Sequence, residues 1–315
     1  CYREASYDRD ERQFIGFGLV LQTAQPPNTH APSGVLTKRW FNTLAPPREA
    51  FYAADPQAPT LGPSLLSQLE AGHTRDTLIA TPGASTLRAM QRALAGSLLR
   101  EEVYAAADVP QQAVPYSVQQ QRYLVRQVKP SPKAGEPAVL LPLLVESMTC
   151  RYERQKDDPC CQHTLNLRWD RYASNLQQVV VDYARRKTAG DSAPAALAHE
   201  QQWWRDAHDP AQQAYYLSET CAEFIHLDAA QRWRLRLPYQ QRNNALVLSK
   251  EALSGSTISY EHFVAEGSSN PLGPDAQRQL GGLWRQHYCL AEHTAPLPPG
   301  TANFQALLAY VETAA

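Results

Sequence analysis

The chain has 315 residues, of which 43% are hydrophobic and 19% are charged, and this composition is typical of a globular protein large enough for two domains. Thirty basic residues against thirty-one acidic ones leave a net charge of −1. That near-balance argues against a nucleic-acid-binding protein, which needs a basic surface. The longest apolar runs are shorter than the roughly 18 to 20 residues that cross a bilayer as a helix.

Pro-rich segments divide the chain, and we place a domain boundary in KPSPKAGEP because extended apolar segments lie on both sides of it. The charged stretch YREASYDRDER near the beginning predicts a solvated tether. The expected organisation is a tether over 1–13, an N-terminal α/β domain over 14–133 and a C-terminal α+β domain over 134–315.

In the N-terminal domain the sequence predicts a strand–helix–strand core. FIGFGLVLQ is typical of a buried strand, and LTKRWFNTL and SLLSQLEAG are typical of short helices. A strand in DTLIATPG is expected to turn into a long helix, whose buried stripe is Leu87, Met90, Leu94 and Leu98. SVQQQRYLVRQV predicts the returning strand.

In the C-terminal domain, PAVLLPLLVESMTCRYERQ and CQHTLNLRWDRY predict a hairpin around the polar turn KDDP. Three helices are predicted next, in SNLQQVVVDYARRK, APAALAHEQQWWRDA and AQQAYYLSETCAEFIHL. The segments RWRLRLP, NALVLS and STISYEHFVAE are predicted strands, and two helices are expected to close the chain. This order predicts an α+β fold of two subdomains, in which mixed sheets are each covered by helices.

The first residue, Cys1, is followed by a short polar and charged stretch. This beginning resembles the mature N-terminus of a bacterial lipoprotein, a family in which the signal peptide is cut just before a cysteine. The resemblance implies lipid attachment at Cys1, and Tyr2 in place of Asp implies an outer-membrane anchor for a body in the periplasm. The alternative is a chain cut just after a transmembrane anchor, which also places the body outside the cytoplasm.

The other cysteines are Cys150, Cys160, Cys161, Cys221 and Cys289. The predicted hairpin brings Cys150 toward Cys160 or Cys161, and one of these pairings is the first disulfide candidate. Cys221 and Cys289 lie on predicted helices and form the second candidate pair. A zinc site of the three hairpin cysteines with His163 is a competing interpretation, but the spacing lacks the C-x2-C pattern of zinc hairpins.

Motifs of catalysis and cofactor binding are incomplete. The segment HEQQW begins like a zinc-protease helix, but Trp203 stands where the second histidine ligand belongs. In LIATPGASTL, Ser85 lies near a strand–helix turn, yet Leu87 replaces the second glycine of a nucleophile elbow, so we expect Ser85 to cap the helix. We expect no cofactor and no metal.

Two aromatic pairs, Trp203-Trp204 and Tyr215-Tyr216, are the candidates for partner binding. Neighbouring residues on a helix point about 100° apart, so one member of each pair can remain exposed. Exposed Trp and Tyr are typical anchors of protein interfaces, although a wide buried stripe could hide both members. This observation favours a protein partner.

Together these features predict a non-enzymatic cell-envelope protein that binds another protein. The roles considered are an adaptor, a component of a secretion assembly and a toxin-immunity protein. The alternative is a periplasmic hydrolase whose site is assembled only in the fold, with Ser85 and a histidine as its reactive groups. The expected partners are another protein and, through an N-terminal anchor, a membrane, with no nucleic acid.

Overall fold

The computed structural model describes residues 1–24, 34–69, 75–106, 114–130, 138–153, 155–191, 198–229, 232–251, 258–266 and 270–286. Within these ranges the chain forms thirteen strands and three α-helices. The strands are β1 (Tyr2–Asp8), β2 (Gln13–Ala24), β3 (Val35–Phe41), β4 (Leu65–Leu69), β5 (Asp76–Leu78), β6 (Leu98–Ala105), β7 (Ser117–Lys129), β8 (Val139–Arg151), β9 (Cys160–Trp169), β10 (Asn175–Asp182), β11 (Ala214–Ala229), β12 (Arg232–Ser249) and β13 (Gln279–Arg285). The helices are α1 (Ala84–Leu94), α2 (Ala198–Ala207) and α3 (Tyr260–Val264).

All thirteen strands belong to one sheet. Its main row runs β1-β2-β3-β6-β7-β8-β9-β10-β11-β12-β13, and every neighbouring pair in this row is antiparallel. The strand β4 pairs in parallel with the second half of β7, and β5 pairs with β4. Because most strands pair with the next strand of the chain, the sheet grows in nearly sequential order from one edge to the other.

The predicted α+β fold, with mixed sheets each covered by helices, is therefore wrong. The described residues form one large antiparallel sheet with three helices, and most of the predicted helices are strands. SNLQQVVVDYARRK contains β10, AQQAYYLSETCAEFIHL contains β11, LTKRWFNTL contains β3 and SLLSQLEAG contains β4. The first of the two predicted closing helices overlaps β13, and the second lies outside the described residues.

The strand β11 shows why a helix was wrongly predicted from the sequence pattern. Its buried positions alternate with period two and include Leu217, Glu219, Ile225 and Leu227. A buried glutamate interrupts the apolar alternation that identifies a strand, because charged residues are seldom fully buried. Glu219 tolerates burial since Arg278 and Asn244 both donate hydrogen bonds to its carboxylate.

Other predicted elements are confirmed in position. The hairpin of β8 and β9 forms as expected, and helices occupy parts of the segments predicted for α1 and α2. The predicted buried stripe of α1 is only half correct: Met90 and Leu94 are buried, whereas Leu87 is exposed and Leu98 lies in β6. STISYEHFVAE, predicted as a strand, contains α3 instead.

The expected N-terminal tether contains strand β1. The amino group of Cys1 donates a hydrogen bond to the carbonyl of Leu21 at 2.7 Å, and the Leu21 amide donates to the carbonyl of Cys1 at 2.8 Å. Backbone pairing thus begins at the first residue, so a solvated tether over 1–13 is not what these residues form.

The segment 131–137 at the expected domain boundary lies outside the described residues, and the division at residue 133 stays a prediction.

Side chains of one face of the sheet, here called the core face, form the main hydrophobic cluster. Leu165, Val179 and Leu217 are buried there, and α3 adds Tyr260 and Phe263 to the same cluster. Helix α1 covers the opposite face, because Met90 and Leu94 pack against Val125 while its neighbour Leu124 belongs to the core-face cluster. The core therefore depends on short segments laid over a wide sheet.

Several of these segments are attached through buried ion pairs. Arg126 of β7 donates two hydrogen bonds to the carboxylate of Asp76 in β5, at 2.8 and 2.6 Å, and a third to the carbonyl of Asp170 at 2.6 Å. The side chains of Arg126 and Asp76 are 2% and 1% exposed. Such a pair is costly to break, because removal of one partner leaves the other charge buried and uncompensated.

We predict that Arg126→Met lowers the free energy of unfolding by about 3–5 kcal/mol, because the Asp76 carboxylate loses its only cationic partner among the described residues. Urea denaturation monitored by tryptophan fluorescence measures the change. The double variant Arg126→Met/Asp76→Leu is expected to recover much of the loss. Arg39→Met, which breaks a partly exposed pair with Glu101, serves as the control and should cost at most about 1 kcal/mol. Equal losses for Arg126→Met and Arg39→Met would contradict this account.

Candidate protein-binding surfaces

In the aromatic pair of α2, one tryptophan is exposed to solvent and the other packs against the protein. Trp203 is 65% exposed, and its only ring contact among the described residues is an edge-on one with His199. Trp204 turns inward and stacks on the buried His208, with 3.9 Å between the ring centroids. The helix thus exposes one indole ring to solvent and packs the other against His208.

The second aromatic pair lies at the start of β11, where successive side chains point to opposite faces. Tyr215 packs against Tyr183 at 5.4 Å between ring centroids, whereas Tyr216 is exposed and donates a hydrogen bond to the carbonyl of Ala211 at 2.8 Å. Tyr216 also lies directly opposite Val247 of β12, another exposed side chain. One member of each predicted pair is therefore exposed, and the role of these residues in binding stays a prediction.

The last strand of the sheet, β13, forms an exposed apolar edge. Within the described residues it pairs only with β12, so the hydrogen-bonding groups of its outer side are not used by another strand. Leu280, Leu283 and Trp284 are all at least half exposed on this short strand. An exposed hydrophobic edge is a template for pairing with a further strand.

The first strand forms the opposite edge of the sheet. Among the described residues β1 pairs only with β2, and this hairpin exposes four aromatic rings. Phe17 contacts Tyr2 and Phe14 at 5.1 and 5.3 Å between centroids, and Tyr7 is exposed beyond them. Exposed apolar clusters of this kind mark interaction sites. The sequence analysis missed both edges, since the order of strands in a sheet is not visible in local patterns.

A buried charge cluster lies on the core face between the sheet and the strap, by which we mean residues 42–64. Arg122 of β7 donates hydrogen bonds to Glu146 of β8 at 2.8 Å, to both carboxylate oxygens of Glu261 in α3 at 2.8 and 2.5 Å, and to the carbonyl of Pro63 at 2.7 Å. One guanidinium therefore joins the sheet, the strap and α3. An open cavity of ≈ 360 Å³ adjoins the cluster and is lined partly by Thr60, Leu61, Gly62, Ile258 and Ser259.

Burial shifts the pKa of two titratable groups, Glu146 of this cluster and its neighbour His163. Burial raises the pKa of Glu146, although the hydrogen bonds and charge of Arg122 oppose the rise. Burial lowers the pKa of His163 to about 3, and the nearby charge of Arg122 acts in the same direction. His163 is therefore neutral at ordinary pH, with its Nδ1 3.3 Å from the Tyr183 hydroxyl and its Nε2 3.6 Å from Glu146. These contacts make it a packed core histidine.

The residues suggested for hydrolysis are not assembled into a site in the described part of the chain. Ser85 lies exposed in the first turn of α1, whose N-cap is Gly83, so the expected role of Ser85 as helix cap is wrong. It makes no hydrogen bond there to a described histidine or carboxylate.

The described cysteines carry free thiols in the structure. Cys1 and Cys160 are exposed, Cys150 and Cys161 are buried opposite each other, and Cys221 is half-buried on β11. Cys289 lies outside the described residues, so the pairing of Cys221 with Cys289 stays a prediction.

Lipid attachment at Cys1 also stays a prediction. Among the described residues no group of three or more His, Cys, Asp or Glu side chains is placed to hold a metal. No helix in the same part of the chain is long and apolar enough to cross a membrane.

Comparison with known proteins gives a consistent likeness. A family model described as the middle/C-terminal region of the insecticide toxin TcdB matches residues 89–237. The solved structure of TcdB2-TccC3 without its hypervariable C-terminal region is 26% identical over 94% of this chain, with a TM-score of 0.82. TcdB2-TccC3-Cdc42 is 27% identical over 96% with a TM-score of 0.83, and the Tc holotoxin pore of Photorhabdus luminescens is 26% identical over 96% with a TM-score of 0.82.

The chain spans only 14% of the length of each of these three solved chains. No curated protein matches it. The likenesses support a component of a toxin complex. They do not support a lipoprotein, a periplasmic or outer-membrane protein, or an immunity protein.

We predict that His163 makes the protein less stable in mild acid. Between pH 6.5 and about 3 the unfolded chain binds a proton at this residue and the folded chain does not, so stability falls as the pH drops. The expected loss from this residue between pH 7 and pH 5 is about 2 kcal/mol. Urea denaturation of the parent chain and of His163→Gln at both pH values measures it.

The pH dependence of stability that the parent chain shows and His163→Gln lacks is the contribution of His163. Glu146, whose raised pKa makes the protein more stable as the pH falls, is present in both chains and does not enter this difference. His199→Gln is the control, and it should keep the pH dependence of the parent chain since His199 is exposed. If His163→Gln lost as much stability in acid as the parent chain, burial of a neutral histidine would not explain the acid sensitivity.

Proposed function

We propose that this chain is a section of a TcdB-like component of a toxin complex and that it acts by binding other protein segments, without catalysis of its own. The observation that carries the proposal is a fold-wide likeness, with TM-scores of 0.82–0.83 to chains that contain TcdB2. The exposed apolar edges of the sheet supply the physical means of binding.

The two edges suit pairing with further strands. Edge strands of stable sheets are usually protected by charge, proline or a covering element, because their free backbone groups recruit other chains. Here β13 exposes Leu283 and Trp284, and the β1–β2 hairpin exposes Tyr2, Phe14 and Phe17 beside the charged side chains of β1. Since the chain spans 14% of its solved relatives, we assign both edges to pairing with other strands of the same toxin component.

The exposed aromatic residues at α2 and β11 suit a separate partner. Trp203 and Tyr216 lie in the part of the chain around the 3-10 turn Pro210–Gln213, and both present rings to solvent. The solved relatives contain TcdB2 together with TccC3, which makes a TccC-like protein the partner we assign to this surface. Trp and Tyr are the residue types that contribute most to such interfaces.

We predict that Trp203→Ala weakens binding of the full chain to TccC3 by at least about tenfold, because a central interface tryptophan contributes about 2 kcal/mol or more. Surface plasmon resonance with immobilised chain measures the dissociation constant. Trp233→Ala is the matched control, since Trp233 is also 65% exposed but lies at the far end of the β11–β12 hairpin. This control should leave the affinity unchanged.

Circular dichroism spectra of both variants check that the sheet is retained. If Trp203→Ala and Trp233→Ala weakened binding to TccC3 equally, the loss would come from exposed apolar area in general. That result would contradict the assigned surface. Absence of measurable binding between TccC3 and the unaltered chain would contradict the proposed partner.

A further inference from the structure

Two thiols meet inside the β8–β9 hairpin. Cys150 lies directly opposite Cys161 in the register of these strands. The carbonyl of Cys161 accepts a hydrogen bond from the Tyr183 amide at 3.0 Å and therefore points away from β8. The two cysteines consequently form a non-hydrogen-bonded pair, in which Cα atoms of antiparallel strands are about 4.5 Å apart and side chains approach closely.

This spacing is within the range of disulfide bonds, whose Cα atoms are usually about 4.4–6.8 Å apart. The adjacent Cys160 cannot take the same place, because successive side chains of a strand point to opposite faces. Cys160 is exposed and contacts the guanidinium of Arg185. The strand register thus selects one of the two pairings that the sequence leaves open.

The pair is closed off from solvent. Cys150 is 2% and Cys161 7% exposed, and they pack with Val118, Met148 and Tyr152 in a separate hydrophobic cluster. The hydrogen bond with Cys150 and burial both raise the pKa of the Cys161 thiol. Since the thiolate is the reactive species, both burial and protonation slow oxidation once the sheet has formed.

We propose that Cys150 and Cys161 form a disulfide between β8 and β9, and that it is made by exchange with a small-molecule disulfide before the hairpin is buried. The reaction is a modification of the chain that is independent of its proposed role in a toxin complex. It makes the stability of the middle of the sheet depend on the redox state in which the chain folds.

The exchange with oxidised glutathione has two steps. One cysteine thiolate attacks a sulfur of oxidised glutathione, so that a protein–glutathione disulfide forms and one glutathione thiolate leaves. The second cysteine thiolate then attacks the protein sulfur of that mixed disulfide, the Cys150–Cys161 bond forms and the second glutathione leaves. The two protein thiols lose two protons and two electrons, and oxidised glutathione becomes two molecules of reduced glutathione.

The test compares oxidation of the full chain during refolding with oxidation of the full chain after folding. Chain unfolded under reducing conditions is refolded into oxidised glutathione, and chain already folded and reduced is exposed to the same reagent. We expect the refolded sample to lose two hydrogen atoms in intact mass and to melt about 4 °C higher than the reduced chain, as for a disulfide closing a loop of this length in a 315-residue chain. The folded sample should react at least about tenfold more slowly.

Substitutions identify the bond. Tryptic peptides that contain Cys150 and Cys161 should remain linked in Cys160→Ser and in the control Cys221→Ser, and the link should be lost in Cys161→Ser. A link that survives in Cys161→Ser but disappears in Cys160→Ser would overturn the assignment. Equal oxidation rates for folded and refolding chain, or equal melting temperatures with and without the bond, would overturn the proposed dependence on folding.

Discussion

The ion pairs of Arg122 hold the covered side of this sheet together. An open antiparallel sheet needs other segments to cover its apolar face. Here the covering segments include the strap and the five-residue helix α3. Arg122 bonds to Pro63 of the strap and Glu261 of α3 while Glu146 fixes the guanidinium to the sheet. Because isolated helices of this length are unstable in water, α3 owes its position to this contact and to the burial of Tyr260 and Phe263.

The same arrangement recurs elsewhere in the described residues. Arg186 donates two hydrogen bonds at 2.9 Å to Asp55 of the strap, and Arg278 donates to Glu219 of the sheet at 2.8 Å. Although burial alone would raise it, the hydrogen bonds of Arg278, Asn244 and a glutamine hold the pKa of Glu219 below its usual range. Planar guanidinium groups suit this task, since each can bind a carboxylate and carbonyl oxygens together. These ion pairs therefore help to position the strap and α3, while apolar area supplies most of the stability.

Local patterns predicted the parts of the fold that depend on neighbours in sequence. The β8–β9 hairpin surrounds a polar turn, and α1 follows a Pro-Gly turn, so both were found. Arg122 and Glu261 are 139 residues apart, and no local signal links them. The strand β11 was missed because buried Glu219 interrupts its apolar alternation, and the exposed edges were missed because strand order is set by the whole sheet.

The buried ion pairs and the exposed edges together indicate which surfaces of the sheet are available for binding. The ion pairs of Arg122 and Arg186 hold the strap and α3 against the sheet, while the edges keep apolar side chains exposed to solvent. At β13, Leu280 and Leu283 flank backbone groups that no second described strand pairs with, a combination that favours aggregation in a protein standing alone. We propose that these edges pair with further strands of a toxin-complex component, because exposed apolar side chains beside unpaired backbone groups suit such pairing better than the surface of an independent envelope protein.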